Sequence, residues 1–187
     1  MTEKARRPRS LAGSRPRIEV PERVRWTVDL IDVRPADHVL EIGCGPGQAV
    51  ALVCQRLTRG TITAVDRSAV AVARTRERNR ECVASGRARV ERMTLTDATL
   101  GRRYPKLFAI NVNAFWTTPG ESLIALGRLL DPRGTAWLVY EPPSESRLRH
   151  LRDSLPAQLE PNGFRVSAVE TQRFRSSFGL AIVGRPR

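Results

Sequence analysis

Between Val39 and Gly47 the chain reads VLEIGCGPG, an apolar run carrying one carboxylate, Glu41, followed by glycines at alternate positions, Gly43, Gly45 and Gly47. Glycine has no Cβ, so such a loop lets backbone N–H groups approach a ligand that side chains would hold off. The spacing discriminates among ligands. A dinucleotide fingerprint G-x-G-x-x-G/A begun at Gly43 needs a small residue where Gln48 stands, and one begun at Gly45 needs it where Val50 stands. Both fail. A second carboxylate, Asp66, lies 19 residues beyond Gly47 at the end of another apolar run. A third, in Thr96-Asp97-Ala98, comes later, and INVNAFW from Ile110 to Trp116 places two amides and two aromatics after a further apolar stretch.

These groups need a frame that carries them to one edge. Pro21 to Val33 has apolar residues at helical spacing with proline near its first turn, and predicts a leading helix. HVLEI (38–42) reads as a strand and 47–57 as a helix; TITAV (61–65) is a second strand, and Ser68 is placed to cap a helix running through Val83. Strands are predicted over 89–93, 107–112 and 135–140, with a helix over 120–130 that stops at the turn Asp131-Pro132-Arg133-Gly134. A helix over 145–160 precedes strands over 164–170 and 178–183. The alternation predicts an α/β fold: a doubly wound, mostly parallel seven-stranded sheet with helices on both faces and an antiparallel C-terminal edge hairpin. Ligands bind such sheets beyond the carboxyl ends of the strands, where the glycine loop falls.

The pattern E-x-G-x-G-x-G after the first strand resembles the first motif of class I S-adenosylmethionine-dependent methyltransferases, and the similarity extends over about Pro21 to Val183. The resemblance implies S-adenosylmethionine as cofactor. It implies that Gly43, Cys44, Gly45 and Gly47 pass close to the methionine part, with Glu41 orienting the loop or the amino group. Asp66 then holds the ribose hydroxyls, its two acceptor oxygens suiting two adjacent donors, with Arg67 or Ser68 beside the adenine. Asp97 and Ala98 meet the adenine, and Asn111 and Val112 lie beside the cofactor at the tip of the fourth strand. Asn113, Phe115 and Trp116 then face the acceptor, joined by Tyr140 and Glu141 at the end of the fifth strand.

The implied reaction is direct displacement on a sulfonium methyl group, where the protein mainly positions the reactants and excludes water. No catalytic acid or base is assigned. His38 opens the first strand away from the loop and reads as structural; His150 lies in the basic run RLRHLR on an exposed helix face. Trp26 reads as core or as part of a lid over the acceptor. The favoured acceptor is a small molecule, because inserts between elements are too short for a large substrate domain. A nucleic-acid acceptor is the alternative, but Asn113-Ala114-Phe115-Trp116 lacks the two prolines of the Asn/Asp-Pro-Pro-aromatic motif that amino methyltransferases use on bases, and a flipped base needs such a pocket. A non-enzymatic member of the fold is a third reading, opposed by the intact Glu41, glycines and Asp66.

At 187 residues with 41% hydrophobic content, the expected organisation is a basic, disordered tail over 1–20 and one domain over 21–187. The net charge of +13 is almost all arginine, with Lys4 and Lys106 the only lysines, and its densest segment is the tail, six basic residues against Glu3 over 1–17. No run of about 18 apolar residues could cross a membrane and no secretory leader is visible, so a cytoplasmic protein without membrane partners is expected. Cys44, Cys54 and Cys82 lack C-x-x-C spacing and are expected as free thiols, with no metal bound. The sequence does not set the oligomeric state.

Overall fold

The computed structural model describes residues 19–187; apart from its last two residues, the expected basic tail lies outside the described residues. The elements in chain order are α1 (Glu22–Ile31), β1 (His38–Ile42), α2 (Gln48–Arg56), β2 (Thr61–Asp66), α3 (Ala69–Arg78), α4 (Arg80–Ala84), β3 (Ala88–Arg92), β4 (Tyr104–Ile110), α5 (Ala114–Thr117), α6 (Pro119–Leu129), β5 (Leu130–Tyr140), α7 (Glu145–Leu159), β6 (Phe164–Arg173) and β7 (Phe178–Pro186). The sheet has seven strands in the order β3-β2-β1-β4-β5-β7-β6. The first five run parallel, and β7 inserts antiparallel between β5 and β6, so β6 is the outer edge. The α/β architecture expected from the alternation is therefore present.

Alternate residues of the strands bury two separate cores. Val39, Phe108, Val139 and Ala181 face α1, α2 and α3, while Leu40, Leu107, Leu138 and Ile182 face α6 and α7. Phe108 and Phe115 are fully buried, each stabilising the fold by roughly 1.5–3 kcal/mol on apolar area alone. Chain order reverses between β1 and β4, which are neighbours although β2 and β3 intervene in sequence. The crevice at that switch point, at the carboxyl ends of the strands, is where this architecture admits ligands.

Several boundaries differ from expectation. The helix after Ser68 breaks at Asn79 into α3 and the five-residue α4. The fourth strand ends at Ile110, so Asn111 and Val112 belong to the loop beyond it, and Asn113 leads into α5. The turn expected at Asp131–Gly134 sits inside β5 as an irregularity: Tyr104 pairs with Leu130 but Lys106 with Thr135, leaving the extra residues outside the ladder. The expectation of free thiols is corrected: Cys54 and Cys82 form a disulfide between α2 and α4, and only Cys44 is free. The two cysteines stand 28 residues apart, and only the packing of α2 beside α4 brings them together.

No helix among the described residues is long and apolar enough to cross a membrane. His38 shares a 2.8 Å hydrogen bond with Thr61 Oγ1, the structural role expected of it. Trp26 packs edge-on to Phe174, 5.8 Å between centroids, seating α1 on the β6–β7 hairpin.

Candidate active site

The loop after β1 is shaped by positive φ at Gly43, Gly45 and Gly47. Gly43 is required by close packing: a Cβ there would lie 2.6 Å from Val112 Cγ2, so the glycine lets the loop after β4 lie directly on the loop after β1. At Gly45, where φ is +51°, a Cβ would meet no protein atom within 4 Å. Its face opens to space rather than to protein, as a backbone that approaches a ligand requires.

Three side chains hold this loop from behind. Thr75 Oγ1 donates to Gly45 O over 2.9 Å, Arg78 Nε to Pro46 O over 2.7 Å, and Asn79 Nδ2 to Gly47 O over 3.0 Å and to Thr75 O over 2.8 Å. Sequence reasoning did not identify these supports. Their only signal is a polar stripe on the third predicted helix, which reads equally well as a solvated face. Cys44 turns the same way: its thiol lies 3.5 Å from Thr75 Oγ1, and burial, the chief cause, pushes it up to about 12 despite that hydrogen bond. Its side chain is part of the packing, leaving only its backbone to a ligand.

Asp66 closes the front of the loop. Its Oδ2 accepts the Gly45 N–H at 2.9 Å and its Oδ1 accepts the Ser68 N–H at 2.8 Å. Each carboxylate oxygen retains acceptor capacity for a further donor. Glu41 stands on β1 opposite Ala64 and Phe108, 2% exposed, and its Oε2 has no hydrogen-bond partner. Burial pushes its carboxyl well above the ordinary value, and the negative charge of Asp66 adds to the shift. A buried carboxylate oxygen without a donor is costly, and a cationic ligand group would satisfy it.

The other expected site residues divide. Arg67 is exposed, and its carbonyl accepts from Arg92 Nε. Asp97 is exposed and turned onto its own loop, accepting from Thr94 Oγ1 at 2.5 Å, with Ala98 beside it. Asn111 has φ of +55°, rare outside glycine, and its Oδ1 accepts the Glu141 N–H at 2.8 Å, tying together the tips of β4 and β5. Tyr140 is buried; its hydroxyl donates to Val112 O over 3.0 Å, and burial pushes its pKa upward. Asn113 is exposed at the start of α5.

One expectation on the acceptor side is corrected, that of Phe115. Phe115 is completely buried in the core under the loop, so of the two aromatics expected to face the acceptor only the half-buried Trp116 remains, on whose ring the guanidinium of Arg147 stacks at 5.1 Å. Glu141 is already engaged: Arg23 Nη1 lies 2.6 Å from its Oε2, and the Ser177 hydroxyl donates to its Oε1. Partial burial opposes its charge, but Ser177 and Arg23 outweigh that and hold the carboxyl below its ordinary value. It stays ionised with both oxygens occupied, latching α1 and the β6–β7 turn onto the end of β5.

The sheet order, the glycine loop at the switch point and the carboxylate at the tip of β2 define the class of α/β methyltransferase folds. The family described as "Methyltransferase domain" matches residues 40–136, just over half of the chain, and the chain belongs to that family. It is 32% identical over 111 residues to a trans-aconitate 2-methyltransferase of Delftia acidovorans, a match covering 55% of this chain and 38% of that protein. The chain thus spans well under half the length of that curated relative. A SAM-dependent methyltransferase from Aquifex aeolicus shares the fold with a TM-score of 0.70 at 16% identity, covering 86% of this chain and 88% of the other. Magnesium protoporphyrin IX methyltransferase from Synechocystis PCC 6803, solved with bound SAM, aligns with a TM-score of 0.62 at 18% identity, covering 88% and 76%.

Proposed function

We propose that the chain is an S-adenosylmethionine-dependent methyltransferase acting on a small-molecule acceptor in the cytoplasm. The observation that carries this reading is the ligand-shaped deficit around the glycine loop: open space over Gly45, acceptor capacity left on Asp66, and a buried Glu41 oxygen without a donor. These features fit the parts of S-adenosylmethionine in order. Glu41 accepts from the methionine ammonium, the Gly43–Gly47 backbone flanks the methionine chain, and Asp66 accepts from the ribose hydroxyls. Arg67 and Ala98 border the adenine, with Asp97 available to its amino group once it releases Thr94. The family membership and the relatives named for methyl transfer support the same reading.

When bound, S-adenosylmethionine supplies a sulfonium-activated methyl group for direct displacement. The chain's own part is positional. Tyr140 fixes the Val112 carbonyl, Asn111 fixes the start of the loop after β5, and the latch of Glu141 to Arg23 and Ser177 closes the acceptor side. Holding reactants in near-attack geometry can lower a barrier by about 7–11 kcal/mol without covalent participation by the protein. Glu141, held ionised by two donors, serves as a positioning residue. Asn113 and Trp116 border the acceptor space, and the relative named for trans-aconitate supports an acceptor of small size.

A net charge of +13 favours a second reading, a nucleic-acid acceptor. The burial of Phe115 counts against it, because that ring cannot stack on a flipped base. The test is a structure of the chain with S-adenosylhomocysteine bound. The expected result is ribose on Asp66, with acceptor-sized space between the sulfur position and Trp116; adenosine bound elsewhere would contradict the proposal.

A further inference from the structure

The loop described above is gripped from behind by a segment that has an unusual anchor. Thr75, Arg78 and Asn79, which hold the carbonyls of Gly45, Pro46 and Gly47, lie at the end of α3 and at the junction with α4. Asn79 is both the C-cap of α3 and the residue from which α4 begins. An isolated helix of five residues cannot sustain itself, and α4 buries a single side chain, Cys82. That side chain is covalently joined to Cys54 in the last turn of α2. Gly47 caps the other end of α2. One end of α2 is therefore tied to the α3–α4 junction by the Asn79 hydrogen bond, and the other end by the disulfide.

We propose that the Cys54–Cys82 disulfide is a thiol-exchange site, reducible by small dithiols, whose state sets how firmly the glycine loop is held. A cavity of about 940 Å³ between α2, α3 and α4 is lined by both cysteines and by Pro46 of the loop itself, so a reagent reaching the sulfurs works directly behind the ligand site. Its lining carries Arg74, Arg78, Arg80 and Arg87 against Glu77 and Glu81. Neighbouring cations stabilise thiolates, which assists both the attack on a disulfide and the departure of the leaving sulfur. A thiolate of the dithiol attacks one cysteine sulfur, and the electron pair of the broken S–S bond leaves on the other, which takes up a proton. The second thiol of the reagent then closes its own disulfide and releases the first cysteine, so two electrons and two protons pass to the protein. Cys44 does not compete: it is buried and hydrogen-bonded to Thr75. In a reducing compartment, disulfides that form are transient or sensing rather than permanent, which suits a bond of this placement.

Only the choice of ligand probe rests on the proposed cofactor. The full chain, air-oxidised or treated with dithiothreitol, is alkylated under denaturing conditions to count its thiols, and each form is titrated with S-adenosylhomocysteine well below its melting temperature. The expected result is one alkylated cysteine before reduction and three after, with ligand affinity about 5-fold weaker or more in the reduced form. The Cys54→Ala/Cys82→Ala variant should match the reduced form and no longer respond to dithiothreitol. Amide hydrogen exchange at residues 43–49, faster on reduction, reads the same release without ligand. Should S-adenosylhomocysteine bind neither form, the cofactor reading fails while the exchange measurement still decides this proposal. It is overturned by three alkylated cysteines in the oxidised chain, or by affinity and loop exchange that do not change on reduction.

Discussion

The Gly45 backbone N–H donates to Asp66 Oδ2 over 2.9 Å. The loop after β1 and the tip of β2 are thereby one hydrogen-bonded unit, so Asp66 has two tasks: it fixes the backbone of the loop and retains acceptor capacity for a ligand. The residue that would recognise the ribose also holds the loop in its open, positive-φ path.

Gly45 separates the ligand role of the loop from its structural role. A side chain at this position meets no protein atom within 4 Å, yet φ of +51° is unfavourable for any residue with a Cβ. Gly45→Ala should therefore cost about 1–2 kcal/mol in thermal or chemical unfolding, while S-adenosylhomocysteine affinity falls much further because the methyl occupies ligand space. Gly45→Val should lose binding entirely. Gly43→Ala is the contrast, since its Cβ collides with Val112 and its main effect should be on stability. Equal losses of affinity and stability at Gly45 would show that the open face is not a ligand surface.

Glu41 predicts a pH dependence. Its folded-state pKa is raised by burial first and by Asp66 second, so at intermediate pH the folded chain keeps a proton that the unfolded chain has released. The stability from this group is complete below the unfolded carboxylate pKa and falls as pH rises toward the folded value. Glu41→Gln should abolish that fall, and its melting temperature should gain on the parent as pH increases. A ligand ammonium favours the ionised carboxylate, so parent affinity for S-adenosylhomocysteine should increase with pH over the same window. The variant should bind roughly 10- to 150-fold more weakly, for loss of about 1.5–3 kcal/mol from a charged hydrogen bond, with no such pH dependence. Isothermal titration across the window checks both signs.

The parts of this site that were legible in the sequence are local. Short apolar runs bounded by turn residues located the strands, and glycines between a strand and a helix located the loop, because both are written within a few adjacent residues. What escaped depends on tertiary packing. Helical spacing continues across Asn79, so the break that lets Asn79 hold Gly47 is invisible in the pattern. The disulfide joins positions 28 apart with no motif between them. Phe115 stands two residues after the exposed Asn113 in a loop-like segment, and only the fold of α5 turns it into the core. The pairing of Glu141 with Arg23 could not be read because the two stand 118 residues apart in sequence.

The Arg23–Glu141 pair offers a test of the latch. Their side chains are 31% and 24% exposed, so solvent screening limits the interaction to about 1 kcal/mol. A double-mutant cycle with Arg23→Ala and Glu141→Ala should show coupling of that size in unfolding. Glu141→Gln should leave the pH profile of turnover unchanged, as a positioning residue requires; loss of the acidic limb would instead make Glu141 the general base.

The central claim is that this loop binds S-adenosylmethionine, and calorimetric titration of the full chain with S-adenosylhomocysteine, in parallel with its Asp66→Ala variant, tests it most directly. The account predicts one-to-one binding by the parent. In the variant, removing hydrogen bonds to a charged acceptor should weaken affinity by about 2–4 kcal/mol, roughly 30- to 1,000-fold, while circular dichroism shows the fold retained. No binding by the parent, or equal affinity in the two proteins, would contradict it.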